Sequence, residues 1–166
     1  MGKQLRVLIL DESAEFAAAL VGELSRAGYL TVSQQVVSIE GLSSALDDPG
    51  WDLVIGDYSM PNFIAAGALE MIRAKELEVP LILLSANLAH DVALTALRNG
   101  IDDYLPKSQL RYIGAAVERT LREAGERRAR RRAEAALREA EDRLRDAQAG
   151  WENLRLAGEA APALDE

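Results

Sequence analysis

The 166-residue chain contains no cysteine. That excludes a disulfide scaffold, a thiolate zinc centre and a cysteine nucleophile. It contains a single histidine, His90, too few for most imidazole metal sites. A serine hydrolase would have to recruit that same histidine, and no G-x-S-x-G segment accompanies it. No apolar run approaches the roughly 20 residues needed to cross a bilayer. The opening run, MGKQLRVLIL, ends at Asp11 and Glu12 rather than at a cleavage site. A cytoplasmic protein with no membrane partner is expected. Positive charge is also in deficit. The formal net charge is −8, which repels a polyanionic backbone, so nucleic acid is not an expected partner. Arg127–Arg132 is a local exception; with Glu126 and Glu134 flanking it, it reads as a solvated helix face.

What remains is enough for one domain. Apolar residues are 49% of the chain, sufficient for a core, while the length is too short for two domains of ordinary size. Runs rich in Val, Ile and Leu at Leu5–Leu10, Leu53–Ile55 and Leu81–Leu84 are continuous rather than alternating, the pattern of strands buried on both faces. Thr31–Val37 and Asp103–Leu105 are weaker strand candidates. Between them lie helical spacings, such as Phe16, Leu20 and Leu24, with Ser13 placed as an N-cap. Gly28 and Gly100 stand where helices end. Five β-α units of this length predict a doubly wound α/β fold, with helices on both faces of a parallel sheet. In such sheets ligands bind at the carboxyl ends of the strands.

From Leu110 to Leu156 there is no proline and only three glycines. Ile113, Val117, Leu121 and Ala124 form an apolar stripe for the last domain helix. Further on, Leu137, Leu144 and Trp151 recur every seven residues, and Ala140, Ala147 and Leu154 follow three positions later. This is an a/d seam of about three heptads. A lone helix of this kind is marginal in water. A parallel homodimeric coiled coil is therefore expected, with a solvated single helix as the alternative. The organisation read from the sequence is a domain over 1–122, a helical extension over 123–157 and a tail over 158–166.

The strand ends carry the chemistry. Asp11 and Glu12 follow the first strand, Asp57 the third, Ser85 the fourth and Lys107 the fifth. The fold gathers all five on one edge. Crowded carboxylates repel unless a hard cation relieves them, and Mg²⁺ favours a few carboxylates, waters and phosphate oxygens. A reachable carboxylate can attack a phosphoryl donor, while a cation, an ammonium and a hydroxyl hold the phosphoryl oxygens.

These segments, Val7-Leu8-Ile9-Leu10-Asp11-Glu12-Ser13, Asp52 through Pro61, Leu83-Leu84-Ser85-Ala86 and Asp103-Tyr104-Leu105-Pro106-Lys107, resemble the receiver domains of two-component response regulators over residues 4–122. The resemblance is to receivers found N-terminal to PAS and histidine kinase modules. It implies a flavodoxin-like five-stranded sheet in the order 2-1-3-4-5. It implies Asp57 as phosphoacceptor, with Mg²⁺ held by Asp11, Glu12, Asp57 and the backbone carbonyl of Tyr58. It implies Ser85 and Lys107 on the phosphoryl oxygens, Tyr104 as the switch aromatic, and Ser59 and Asn87 as positions tuning dephosphorylation. The implied partner is a sensor histidine kinase or phosphotransfer protein, and the implied chemistry is limited to self-phosphorylation and autodephosphorylation. Glu12 stands where Asp is commoner, and Ser108 follows Lys107 where proline is usual. The expected function is phosphorelay signalling, passed through the last helix and a dimeric coiled coil. A phosphorylation-independent receiver-like scaffold is the alternative. A haloacid dehalogenase-like hydrolase would need a second Asp where Ser59 stands.

Overall fold

The structure is a computed structural model and describes residues 2–58, 65–86 and 90–160. The chain separates into two compact units, Met1–Gly125 and Glu126–Glu166. In the first, strands and helices alternate: β1 (Lys3–Leu10), α1 (Ala14–Arg26), β2 (Tyr29–Val36), α2 (Ile39–Leu46), β3 (Leu53–Asp57), α3 (Ala65–Ala74), β4 (Leu81–Ser85), α4 (His90–Arg98) and β5 (Asp103–Pro106). A 3-10 turn (Lys107–Tyr112) leads into α5 (Ile113–Glu159). The strands form one parallel sheet in the order β2-β1-β3-β4-β5, as expected.

The period of two along each strand divides the core. Leu8 and Leu10 of β1, Val54 of β3 and Leu81 and Leu83 of β4 pack with Leu42, Leu46, Leu69 and Ile72 on the α2–α3 side. Val7, Ile9, Leu53, Ile55, Ile82 and Leu84 alternate with them and pack with Leu20, Leu24, Ile113 and Val117 on the α1–α5 side. That alternation is why the strands read as unbroken apolar runs: every residue meets a helix on one face or the other. Burying each of these large side chains is worth about 1.5–3 kcal/mol.

Local signals account for the helix ends. The Ser13 side chain accepts a hydrogen bond from the Phe16 amide at 3.0 Å, capping α1. Gly28 and Gly100 have φ of 91° and 104°, the left-handed region that ends a helix cheaply only at glycine. The sequence reading passed over α2. Its eight residues, IEGLSSAL, are too few for a sustained period, yet Ser38 caps it by accepting from the Gly41 amide. Trp51 is buried just before β3, its indole donating to the Ala45 carbonyl at 2.8 Å, with Arg6 over its ring.

The second unit is described as helix alone. α5 is still helical at Gly158 and Glu159, two residues into the segment expected as a tail. Intrahelical pairs line it, including Arg130–Glu134, Arg143–Glu139 and Arg155 with both Glu152 and Glu159. Leu137, Leu144, Trp151 and Leu154 are exposed, Trp151 at 74%. Among the described residues no helix is long and apolar enough to cross a membrane.

Candidate functional site

The parallel register brings the strand ends to one edge. Asp57 lies beside Leu84 in the β3–β4 pairing, and Ser85 beside Pro106 in the β4–β5 pairing. The chain then leaves β5 into the 3-10 turn, so Lys107 stands at its first position. Lys107 Nζ donates to Asp11 Oδ2 at 2.8 Å and to Asp57 Oδ2 at 2.9 Å. Three residues separated by 46 to 96 positions in sequence thus converge on a single ammonium.

The surroundings fix each of the three. Asp11 is buried; its Oδ1 accepts from the Ser13 amide at 2.8 Å and its carbonyl accepts from Gln35 Nε2 at 2.7 Å. The Asp11 carboxylate is therefore tied both to the first turn of α1 and to Lys107. The Asp57 side chain is 11% exposed, so it is sheltered but reachable. The following residue, Tyr58, donates its amide to the Leu84 carbonyl at 2.8 Å. Below the ammonium lies Phe16, with Nζ 4.0 Å from the ring centroid, a cation–π contact.

Electrostatics follow from this placement. Burial pulls the Lys107 pKa down. The hydrogen bonds to Asp11 and Asp57, with the charges of both, outweigh that effect and hold it above the ordinary 10.5. The ammonium is therefore charged at any physiological pH. Two carboxylates against one ammonium leave one negative charge in excess. Lysine suits this position better than arginine, which supplies most of the chain's positive charge. A compact ammonium on a flexible stem can shift between acceptors, where a planar guanidinium is held in a fork.

Other expected residues are distributed as follows. Ser85 is buried at the end of β4. Tyr104, on β5, is partly buried and packs against the α2–α3 side of the core. Ser59 and Asn87 lie outside the described residues. Asp11 turns inward, while Glu12, next along the chain, is exposed. Among the described residues, no three Asp, Glu, His or Cys side chains are grouped so as to hold a metal ion. The donor set is instead two carboxylates that share an ammonium, with the Tyr58 carbonyl expected as a third ligand. That set still fits Mg²⁺, which takes one or two carboxylates and keeps several waters. Phe16 and Gln35 were not read from the sequence as site residues. Phe16 looked like a core position of α1, and nothing local marks Gln35.

Comparison with known proteins identifies the family. Residues 7–118 match the family described as the response regulator receiver domain. The chain is 32% identical over 121 residues to the transcriptional regulatory protein PrrA of Mycobacterium tuberculosis, covering 72% of this chain and 51% of that one. It is 26% identical over 153 residues to the DNA-binding transcriptional regulator NtrC of Proteus hauseri, covering 92% of this chain and 32% of that one. The chain thus spans about half the length of the first, and less of the second. Among solved structures, the Francisella response regulator 1452 receiver domain superposes with a TM-score of 0.61 at 20% identity, covering 72% of this chain and 98% of that one. At that identity the likeness is one of fold.

Proposed function

The chain belongs to the response regulator receiver domain family, and from that premise we propose that it accepts a phosphoryl group on Asp57 from a histidine kinase or phosphotransfer protein. The observation that carries the proposal is the convergence of Asp11, Asp57 and Lys107, with Asp57 the more exposed of the two acids. An Asp57 carboxylate oxygen attacks phosphorus. A P–O bond forms as the P–N bond to the donor imidazole breaks, and the imidazole leaves with the bonding pair. Mg²⁺, held by Asp11, Asp57 and the Tyr58 carbonyl, would neutralise charge on the transferring oxygens. Lys107 then exchanges its Asp57 oxygen for a phosphoryl oxygen while keeping Asp11, and the Ser85 hydroxyl donates to another. Tyr104 repacks as Ser85 moves, which biases a two-state element.

Output runs through α5, one helix that belongs to both compact units. The exposed seam Leu137, Ala140, Leu144, Ala147, Trp151 and Leu154 pairs with a second copy of the chain. A change at the receiver end of α5 is thereby passed to a dimer. Nucleic acid is not among the partners we propose, given the net charge of −8.

Acetyl phosphate with Mg²⁺ should add one phosphoryl group by intact mass, and beryllofluoride with Mg²⁺ should quench or shift tryptophan fluorescence. No change with either reagent, or an equal change in Asp57→Asn, would refute phosphorylation. Light scattering on the full chain should give a dimer mass that Leu144→Asp reduces to a monomer. The exposed Glu12 favours a second reading, a phosphorylation-independent interaction module. Calorimetric titration with Mg²⁺ separates the two, since that module should bind almost none.

A further inference from the structure

The apolar seam of α5 has an asymmetry that its spacing alone does not reveal. Its a positions are large, Leu137, Leu144 and Trp151, while its d positions are small, Ala133, Ala140 and Ala147, until Leu154. All are exposed on the helix. In a parallel, in-register pair each residue faces its own copy. Leucine-on-leucine layers would alternate with alanine-on-alanine layers too thin to fill the gap between the helices, and two indoles would be forced together at position 151. Close packing wants large against small at each level.

We propose that this segment pairs with a second copy of the chain in antiparallel orientation, with Leu144 level with the partner's Ala147. The proposal rests on the dimer reading above and specifies its geometry. In this register Trp151 meets the partner's Ala140, Leu137 meets the partner's Leu154, and Ala133 meets the partner's Gly158. Every level but the outermost leucine pair sets a large side chain on a small one, or two small ones together.

The flanking positions agree independently. On one side Glu134 lies opposite the partner's Arg155, and Glu141 opposite the partner's Gln148: an ion pair and a hydrogen-bonding pair, each occurring twice by symmetry. Arg155 is bridged in its own helix to Glu152 and Glu159, and Glu134 to Arg130, so the interchain contact joins two existing networks. On the other side stand Ala136, Gly150 and Ala157 with Arg143. A side chain added at Gly150 would meet nothing within 4 Å in its own chain, so a neighbouring backbone can come close there. No like charges face each other on either side. The parallel pairing sets Ala136 against Glu141, Arg143 against Gln148 and Gly150 against Arg155, and gains no ion pair. The helices overlap over residues 132–159, about 42 Å, which leaves most of the arginine run Arg127–Arg132 beyond the overlap and free of the seam.

The absence of cysteine makes the orientation measurable, because a single introduced cysteine takes a spin label at one place. Ala129→Cys and Asp146→Cys, each in the full chain, are labelled and the label-to-label distance is read by pulsed electron paramagnetic resonance. The antiparallel register places the two labels at 146 nearly level. It separates the labels at 129 by about 50 Å along the axis. A short distance at 146 with a long one at 129 is the expected result. Short distances at both positions mean a parallel pair, and a long distance at 146 means a different register; either overturns the proposal. A monomer mass with no dipolar coupling at either position overturns the dimer reading itself, a failure distinct from a wrong orientation.

Discussion

Replacing Lys107 by methionine keeps the length and apolar stem of the side chain and removes only the ammonium. Asp11 and Asp57 then lose the ammonium that donates to both. Removing one partner from a buried ion pair costs about 3–5 kcal/mol. The Lys107 side chain is 20% exposed, so water can relieve part of that cost, and a loss of about 3 kcal/mol at neutral pH is expected. Mg²⁺ should reduce it. Mg²⁺ at a hundredfold excess over its dissociation constant stabilises the state it binds by about 2.7 kcal/mol. Without the ammonium beside the two carboxylates the variant should bind the metal more tightly than the wild type and gain more from it, so the stability gap should narrow. Urea unfolding followed by tryptophan fluorescence, with and without Mg²⁺, gives both quantities. A loss below about 0.5 kcal/mol, typical of an exposed pair, would refute the reasoning, as would a gap that ignores the metal.

Three further outcomes follow from single contacts. Ser13→Ala removes the α1 cap and should cost about 1 kcal/mol by urea unfolding, while Ser13→Asp, which can still cap, should cost less. Gly114→Ala gains about 1 kcal/mol of helix propensity, but its Cβ would lie 2.4 Å from the Ala27 Cβ. The expected balance is a lower melting temperature, recovered by adding Ala27→Gly; a higher melting temperature for Gly114→Ala alone would contradict it. The Tyr29 phenol is raised above its ordinary 10.0 by burial first and by the Glu118 charge second. A raised pKa in the folded state contributes stability that is complete below pH 10 and lost as pH rises through the folded value. Absorbance titration should show one late phenol that Glu118→Gln brings earlier.

How far the sequence reaches can be judged residue by residue. β3 and β4 were legible because they are central and buried on both faces, which forces unbroken apolar runs. β2 was weaker because it is an edge strand: Leu30 and Val32 are exposed, and the run carries Ser and Gln. α2 left no periodic trace at eight residues, although Ser38 followed by Leu42 and Leu46 could have been noticed. At the site, the convergence of Asp11, Asp57 and Lys107 was legible because topology alone brings strand ends together. That Asp11 turns inward while Glu12 is exposed was not, since spacing along a chain does not say which of two adjacent acids points into the fold. Phe16 and Gln35 were not either, because a ring under an ammonium and an amide on a backbone carbonyl come from neighbouring elements that no local pattern links. The antiparallel orientation proposed for α5 rests on residue size at the seam, a property that heptad spacing ignores.

The contact between Lys107 and Phe16 gives the domain an internal reporter. The chain has only two phenylalanines, and one of them carries on its ring face the ammonium that the proposed phosphorylation of Asp57 would displace. A fluorinated phenylalanine incorporated throughout would show two resonances. One would sense the approach or retreat of a full positive charge at about 4 Å, without any label attached to the reacting residues.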